Sequence, residues 1–270
     1  MKSRRTIVAA SIVALWVVGM AMMVRRNANR SDAQKLVEVA LRLQPATFYY
    51  TVSRDGEQIG AASSALDTTS QTLVSEEYFV GDYPSGNAVE RTSARWQTRL
   101  TRGFRLADLT IDVARPTLPF AMAAAVQQDT TLFVTGNGEG ITRSGTRQGF
   151  IPPIFTPSLA PVLFMLSGAP KIGRTQKVAI FDPLTRAVLE PDLTIRAESL
   201  FTVVDSAVKD SEGNWNTAHR DTVRAWRLEG APYGVSAWVD AEGRIVTATA
   251  GSFAVTRTAF EIAFKNSRAR

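Results

Sequence analysis

Alternation of apolar and polar side chains, beginning near residue 46, constrains the fold more than any other feature of the sequence. Phe48, Tyr50 and Val52 stand at every second position, Asp55-Gly56 follows, and the segment 58–64 returns with similar spacing. A period of two places successive side chains on opposite faces of a sheet, and Asp-Gly is typical of tight hairpin turns. The segment 47–64 therefore predicts a β-hairpin.

The same pattern continues to the carboxy-terminal part of the chain. Further strands are predicted at about 71–80, 88–101, 104–113, 130–135, 176–181, 193–205, 220–229, 234–240 and 244–249. In the turn Asp240–Gly243, the glycine suits the left-handed position of a type I turn with a bulge. We predict a mainly β domain over 46–270, a curved antiparallel sheet or half-barrel, with a carboxy-terminal helix at 258–267.

One apolar segment interrupts the strands. Thr156 and Pro157 suit the N-cap and first position of a helix, and Gly168 suits its end. Leu159, Leu163 and Leu166 follow at spacings of four and three, so we expect them to point inward. Two interpretations remain open: a plug helix that closes one side of the sheet, or a lid over a hydrophobic cavity.

The amino terminus predicts a membrane anchor. Residues 6–24 carry no charge and would cover about 30 Å as a helix, which is the thickness of a bilayer core. The apolar run continues past the small residues Gly19 and Ala21, so an uncleaved anchor is favoured over a cleaved signal. We expect residues 1–5 in the cytoplasm, a basic segment and stalk helix at 25–45, and an extracytoplasmic domain, periplasmic in a Gram-negative envelope. A domain facing the cytoplasm is the alternative.

Basic charge is concentrated ahead of the domain. Six of the 31 Lys and Arg residues fall within residues 1–30, where there is no acidic residue, and the remainder balance the 25 acidic residues. No uniform basic field is left for a nucleic acid, so we expect no nucleic-acid partner. Arg91, Arg95 and Arg99 recur on one strand face, which we expect to be solvated and paired with acidic neighbours. Contact with anionic head groups or a glycan polymer is the alternative.

Few residues suit catalysis or metal binding. The chain has no cysteine and one histidine, His219, so a catalytic thiol, a disulfide framework and a multi-histidine metal centre are excluded. His219 and Asp221 share a strand face, but no Gly-x-Ser-x-Gly elbow accompanies them, and a solvated histidine is expected. Glu76 and Glu77 point to opposite faces of a strand, which disfavours a paired-carboxylate site. We predict no catalytic residue, no cofactor and no metal.

Large apolar side chains are the remaining functional candidates. We predict an apolar ligand cavity lined by Leu159, Leu163, Phe164, Leu166, Trp96, Trp226 and Trp238. The predicted function is a membrane-anchored binding or interaction module whose partner is a lipid or an envelope protein. Two alternatives remain: a purely structural component of an envelope complex, and a hydrolase or transferase that acts on envelope polymers.

Several short segments carry a family resemblance. They are Phe181–Thr185, Leu193–Ile195, Val223–Leu228 and Ala237–Val246, together with the dipeptides Ile59-Gly60 and Ile172-Gly173. In these the chain resembles the β-rich amino-terminal region of bacterial exported transglutaminase-like proteins. It also resembles uncharacterised exported β-proteins of lipoprotein-carrier-like shape. The resemblance implies a curved sheet around a helix, but the Cys-His-Asp chemistry does not transfer because cysteine is absent. A non-catalytic relative is implied.

Overall fold

A computed structural model describes residues 43–69, 72–85, 88–117, 119–128, 131–137, 146–149, 155–183, 185–231 and 234–265. The predicted anchor at 6–24 lies outside these residues, as does the predicted stalk helix up to residue 42. In the parts that the structure describes, no helix reaches the length and hydropathy that crossing a bilayer requires.

The described residues form sixteen strands and two short helices. The strands are β1 (Ala46–Arg54), β2 (Glu57–Thr68), β3 (Thr72–Ser85), β4 (Ala88–Thr101), β5 (Leu106–Ala114), β6 (Phe120–Gln127), β7 (Thr131–Asn137), β8 (Thr146–Gly149), β9 (Thr175–Lys177), β10 (Ile180–Asp182), β11 (Ala187–Leu189), β12 (Asp192–Lys209), β13 (Trp215–Glu229), β14 (Ser236–Val239), β15 (Ile245–Ala250) and β16 (Phe253–Thr258). The helices are α1 (Ala160–Leu166) and α2 (Phe260–Ala263). The predicted mainly β class is confirmed.

Fourteen of these strands form one curved antiparallel sheet. Its order is β8-β7-β6-β5-β4-β3-β2-β1-β16-β15-β14-β13-β12-β9, and β10 pairs separately with β11. Neighbours in this sheet are also neighbours in the chain, except where β1 meets β16 and β12 meets β9. The β1–β16 pairing extends from Tyr49 opposite Thr258 to Arg54 opposite Phe253. The first and last strands of the domain thus lie side by side in its centre.

Two turns have the geometry that the sequence predicts. Asp55 and Gly56 have φ of 50° and 86°, and positive φ at both central residues is the requirement of the tight hairpin turn between β1 and β2. Gly243 has φ of 80°, and its N–H donates to the Asp240 carbonyl at 3.0 Å. A register shift between Trp238 and Val239 accompanies this turn.

Helix α1 lies within the main hydrophobic core. Val162, Leu163, Phe164 and Met165 are all buried, so successive positions around the helix contact protein, as expected for a helix enclosed by a sheet. The helix begins at Ala160, with Leu159 as its N-cap, and not at Pro157 with Thr156 as the predicted N-cap. The Thr156 carbonyl accepts from both the Leu159 and Ala160 N–H groups, at 3.1 and 3.0 Å, so residues 156–159 form a turn that leads directly into α1.

The carboxy-terminal helix is shorter than predicted. Strand β16 continues to Thr258, so α2 comprises only Phe260–Ala263. Its aromatic rings pack on β1, where Tyr49 meets Phe260 at 5.0 Å and Phe264 at 6.2 Å between ring centroids. The prediction of a tail that packs on the sheet is confirmed over a smaller range.

Candidate functional site

A pocket of about 290 Å³ lies between the inner face of strands β1–β5 and the beginning of α1. Its apolar wall consists of side chains from six strands and the helix region, namely Ala62, Leu66, Phe79, Ala94, Ile111, Leu159, Val162, Ile245 and Val255. Its polar lining includes Tyr50, Ser63, Ser64, Ser75, Glu77, Tyr78, Arg95, Trp96, Ser158 and Arg244. The pocket therefore combines an apolar surface with a cluster of interior polar groups.

Sheet register explains why these side chains meet. Ser64 lies opposite Glu77, Glu77 opposite Trp96, and Trp96 opposite Ile111. Direct cross-strand partners project from the same face of a sheet, so these four side chains form one row across β2–β5. Ala62, two positions from Ser64 on β2, belongs to the next row on the same face.

Glu77 is a half-buried residue whose carboxylate is held by hydroxyl groups. Ser64 and Ser75 donate to its Oε1 at 3.1 and 3.0 Å, and Ser158 donates as well. These bonds and the positive charge of Arg244 favour the ionised form. Desolvation outweighs them and raises the pKa of Glu77 above its usual value. The carboxyl therefore holds its proton to higher pH than an exposed glutamate does.

Glu76 lies on the opposite, solvent-exposed face of β3. Its Oε2 pairs with Arg95 at 2.7 Å, and the flanking arginines are paired in the same way: Arg91 with Asp82 at 3.3 Å and Arg99 with Asp108 at 2.6 Å. The prediction that these arginines form a solvated face with acidic partners is confirmed.

Arg244 brings a positive charge into the interior, with 5% of its surface exposed. Its Nη2 donates to the Gln44 carbonyl at 3.4 Å, and its guanidinium lies 5.4 Å from the centre of the Phe48 ring. Its Nε lies 3.9 Å from the carboxylate of Glu242 and makes no hydrogen bond. Buried polar groups are normally hydrogen-bonded, so this nitrogen is an exception.

Tyr50 completes the polar part of the pocket. Burial raises the pKa of its hydroxyl above the usual range, and the negative charge of Glu77 acts in the same direction. The positive charges of Arg257 and Arg244 oppose this shift. Arg257 itself pairs with Asp240 at 3.1 Å. The phenol is therefore un-ionised across the physiological pH range.

The predicted cavity residues separate into two groups. Leu159 and Trp96 line the pocket. Leu163 and Phe164 on α1 are buried in the main core, and the partly buried Leu166 packs against it. The structure therefore brings only Leu159 and Trp96 to the pocket from the predicted set.

The other two tryptophans of the predicted set lie away from the pocket lining. Trp226 is buried, and its Nε1 donates to Glu198 at 3.2 Å. Trp238 packs on Phe201, with ring centroids 4.9 Å apart, beside a second and smaller apolar cluster. Alternation along a strand does not reveal which of several aromatic residues will share a cavity, because that depends on sheet curvature.

Sequence reasoning missed most of the polar lining: Tyr50, Ser64, Ser75, Glu77, Ser158 and Arg244. One signal was available. Adjacent glutamates on a strand point to opposite faces, so one of Glu76 and Glu77 must face the interior of a curved sheet. A carboxylate in that position requires polar neighbours.

His219 is exposed on β13, as predicted. Its Nδ1 lies 3.7 Å from Asp205 and 3.8 Å from Asp221, and the ligand atoms of the three residues lie within 4.8 Å of one another. All three side chains are more than half exposed. Exposed charged pairs of this kind are common on protein surfaces, and the cluster by itself defines no site.

Comparisons with known proteins support the fold alone. No family model and no curated protein sequence matches the chain. It is similar to the crystal structure of a β-barrel-like protein of the domain of unknown function DUF1849 from Brucella abortus. The TM-score is 0.53 at 13% identity, over 80% of this chain and 96% of that one.

A DUF1089 family protein from Pseudomonas aeruginosa is a weaker match, with a TM-score of 0.38 and 9% identity over 68% of this chain and 87% of that one. The DUF1849 neighbour is a protein of unknown function, and no link between the chain and transglutaminase-like proteins is shown. Of the two resemblances predicted from the sequence, only the likeness to uncharacterised β-proteins is supported.

Proposed function

We propose that the chain is a non-catalytic binding module that holds a small, largely apolar molecule in the pocket between β1–β5 and α1. The observation that carries the proposal is the pocket itself, about 290 Å³ with a mainly aliphatic and aromatic wall. Protein interiors pack as densely as organic crystals, and few voids exceed the size of a water molecule. A space of this size is close to that of the smallest ligand sites.

Pocket size limits the ligand. Small-molecule sites span roughly 300–1,000 Å³, so this pocket, at about 290 Å³, lies just below the lower end of that range. At about 30 Å³ per non-hydrogen atom, the share of a water molecule in the liquid, it holds about ten such atoms. A single short chain or ring system fits, whereas a phospholipid with two acyl chains exceeds the space.

The cellular setting forms part of the proposal. The uncharged segment 6–24 would tether the module to a membrane by one span, with the domain outside the cytoplasm and facing the envelope. A membrane-derived amphiphile or an envelope component would then be the local source of ligand.

A pocket-filling variant tests this function. Ala94 lines the pocket, and Ala94→Leu would occupy space that a ligand needs. Ala125 is exposed on β6, so Ala125→Leu adds the same side chain outside the pocket. The full chain and both variants are purified from the native host, and small molecules extracted from them are identified by mass spectrometry.

We expect one small amphiphilic species to accompany the unmodified chain and Ala125→Leu and to be lost from Ala94→Leu. Circular dichroism of each preparation establishes that the variants are folded. Equal recovery from both variants, or no species above the extraction blank, would contradict a binding function and favour a purely structural role.

A further inference from the structure

Tyr50 lines the pocket with a hydroxyl group that the fold leaves without a partner. Only 5% of the residue is exposed, and its hydroxyl makes no hydrogen bond with any residue in the described ranges. Its oxygen is not enclosed by protein, whereas the unpaired Trp96 Nε1 is fully enclosed. A molecule in the pocket can therefore reach the Tyr50 hydroxyl and supply the partner that the protein does not.

Glu77 offers an acceptor at the same pocket. A carboxylate has about four acceptor positions, and three of those on Glu77 are used by the hydroxyl groups of Ser64, Ser75 and Ser158. The residue is half-buried and lines the pocket, so the remaining position is open to a donor from a bound molecule.

Small side chains on β2 separate Tyr50 from Glu77. Ala62 lies opposite Tyr50, and Ser64, two positions along the strand, lies opposite Glu77. Direct partners and residues two positions apart share a face of the sheet, so both polar groups flank the same two small residues. The Glu77 charge accordingly acts on the phenol. Room for one head group is thus available between a hydroxyl and a carboxyl group.

The charge balance around Tyr50 favours an uncharged head group. The charged groups that act on this residue are two of each sign: Glu77 and Asp240, Arg244 and Arg257. A charged ligand would add an uncompensated charge to a desolvated site, which is unfavourable. A ligand hydroxyl carries no charge and has one donor and two acceptor positions, so it can donate to Glu77 while it accepts from Tyr50.

We propose that the pocket, as the ligand site of the proposed function, takes a neutral single-chain alcohol of about nine carbons. The hydroxyl of the alcohol donates to Glu77 and accepts from Tyr50, and its chain lies against Leu66, Ile111 and Leu159. About nine carbons and one oxygen match the roughly ten non-hydrogen atoms that the volume allows.

Four probes of about ten non-hydrogen atoms each test the head group: 1-nonanol, octyl methyl ether, nonylamine and octanoate. They are titrated calorimetrically into the full chain in amphipol, with amphipol alone as the blank. Only binding that Ala94→Leu abolishes is counted as pocket binding. We expect 1-nonanol to bind at least about tenfold more tightly than either charged probe. It should bind about three- to tenfold more tightly than the ether, which accepts a hydrogen bond but cannot donate one.

Tyr50→Phe retains the ring and removes only the hydroxyl, so no hydrogen bond within the described protein is lost. We expect 1-nonanol and the ether each to bind about three- to tenfold more weakly, because both lose the phenol donor. Tyr49→Phe is the matched control, since Tyr49 lies on the other face of β1 and packs on Phe260. It should leave all affinities unchanged. Circular dichroism establishes that both variants are folded.

Several outcomes would contradict a hydroxyl head group while leaving an apolar ligand site in place. If nonylamine binds as tightly as 1-nonanol, the ligand is a cation held by Glu77. If octanoate does so, Glu77 is protonated in the complex and the excess positive charge selects an anion. Equal binding of the ether would show that Glu77 accepts nothing from the ligand, and an unchanged affinity of Tyr50→Phe would exclude the phenol.

The two proposals fail separately. If no probe binds but Ala94→Leu still loses an extracted species, the alcohol is wrong and the binding function stands. If no probe binds and Ala94→Leu loses no extracted species, the binding function fails as well.

Discussion

Glu76 and Glu77 are adjacent on β3 but lie in different chemical environments, because successive side chains of a strand point to opposite faces of the sheet. Glu76 meets Arg95 in solvent, whereas Glu77 meets hydroxyl groups and an apolar wall. Three hydroxyl donors stabilise the Glu77 charge without cancelling the effect of desolvation, and the pKa remains raised. The interior of the sheet therefore contains a carboxyl group that opposes folding when it is ionised.

The raised pKa of Glu77 makes the free energy of unfolding depend on pH, and replacement of Glu77 by glutamine should remove that dependence. A carboxyl with a raised folded-state pKa supports stability below its unfolded value near 4.5, and that support is lost as pH rises through the folded value. Stability of the unmodified chain thus falls relative to Glu77→Gln as pH increases above about 4.5. Urea denaturation of both proteins across pH 4 to 8 measures the difference.

Glu76→Gln is the matched control for this experiment. It removes a carboxylate from an exposed ion pair, so we expect a change within about 1 kcal/mol at neutral pH. A free-energy difference between Glu77→Gln and the unmodified chain that stays constant over the pH range would show that Glu77 is not desolvated.

Gly243 is required for two reasons at once. Its φ of 80° is left-handed, and a Cβ there would lie 2.3 Å from Val162 Cα and 2.5 Å from the Pro161 carbonyl oxygen. We expect Gly243→Ala to destabilise the protein by roughly 2–5 kcal/mol, from backbone strain and overpacking against α1. Thermal or urea denaturation measures the loss.

Gly251→Ala separates the two contributions. Its φ of 58° is also left-handed, but a Cβ there meets nothing within 4 Å. We therefore expect a loss of only about 1–2 kcal/mol from the backbone conformation. Equal losses for the two variants would mean that the turn does not press on α1.

At the level of elements, α1 contributes both to the pocket and to the main core. Leu159 and Val162 line the pocket, and Leu163 and Phe164 are buried in the main core. We expect Leu163→Ala to cost about 2–5 kcal/mol, because the surrounding side chains only partly fill the space left behind. Leu200→Ala, at a position 65% exposed on β12, is the control and should change stability by no more than about 0.5 kcal/mol. If both variants lost only a similar small amount of unfolding free energy, α1 would not be part of the main core.

Elements with strong local signals were predictable, and those fixed by tertiary contacts were not. The first hairpin follows from alternation and an Asp-Gly turn, and α1 follows from an apolar segment bounded by proline and glycine. Strand β6 has alanine at four of its eight positions, which favours a helix, and only pairing with β5 and β7 makes it a strand. The pocket likewise depends on which strands approach one another, so its polar lining was not apparent from spacing.

At the scale of the whole molecule, the β1–β16 pair closes the central part of the sheet. Thr51 and Thr256 are partners in this pair and are 205 residues apart in the chain. No local pattern specifies such a contact, and loop closure of this length makes it slow to form. The two halves of the sheet are held together by this pairing and by the apolar core beneath it.

A disulfide tests this closure directly, because the chain has no cysteine of its own. Thr51→Cys with Thr256→Cys joins direct partners on adjacent strands, within the Cα separation that a disulfide spans. The control pair combines Thr51→Cys with Thr247→Cys. Thr247 lies one strand beyond Thr256, so it is about 10 Å from Thr51 and outside that reach.

We expect oxidation to cross-link the first pair and not the second, as measured by intact mass. The cross-link should stabilise the folded chain by up to about 5 kcal/mol relative to its reduced form, because a closed loop of this length restricts the unfolded chain. Cross-linking of the control pair at the same rate, or failure of the Thr51–Thr256 pair to form, would contradict the register of the central strands.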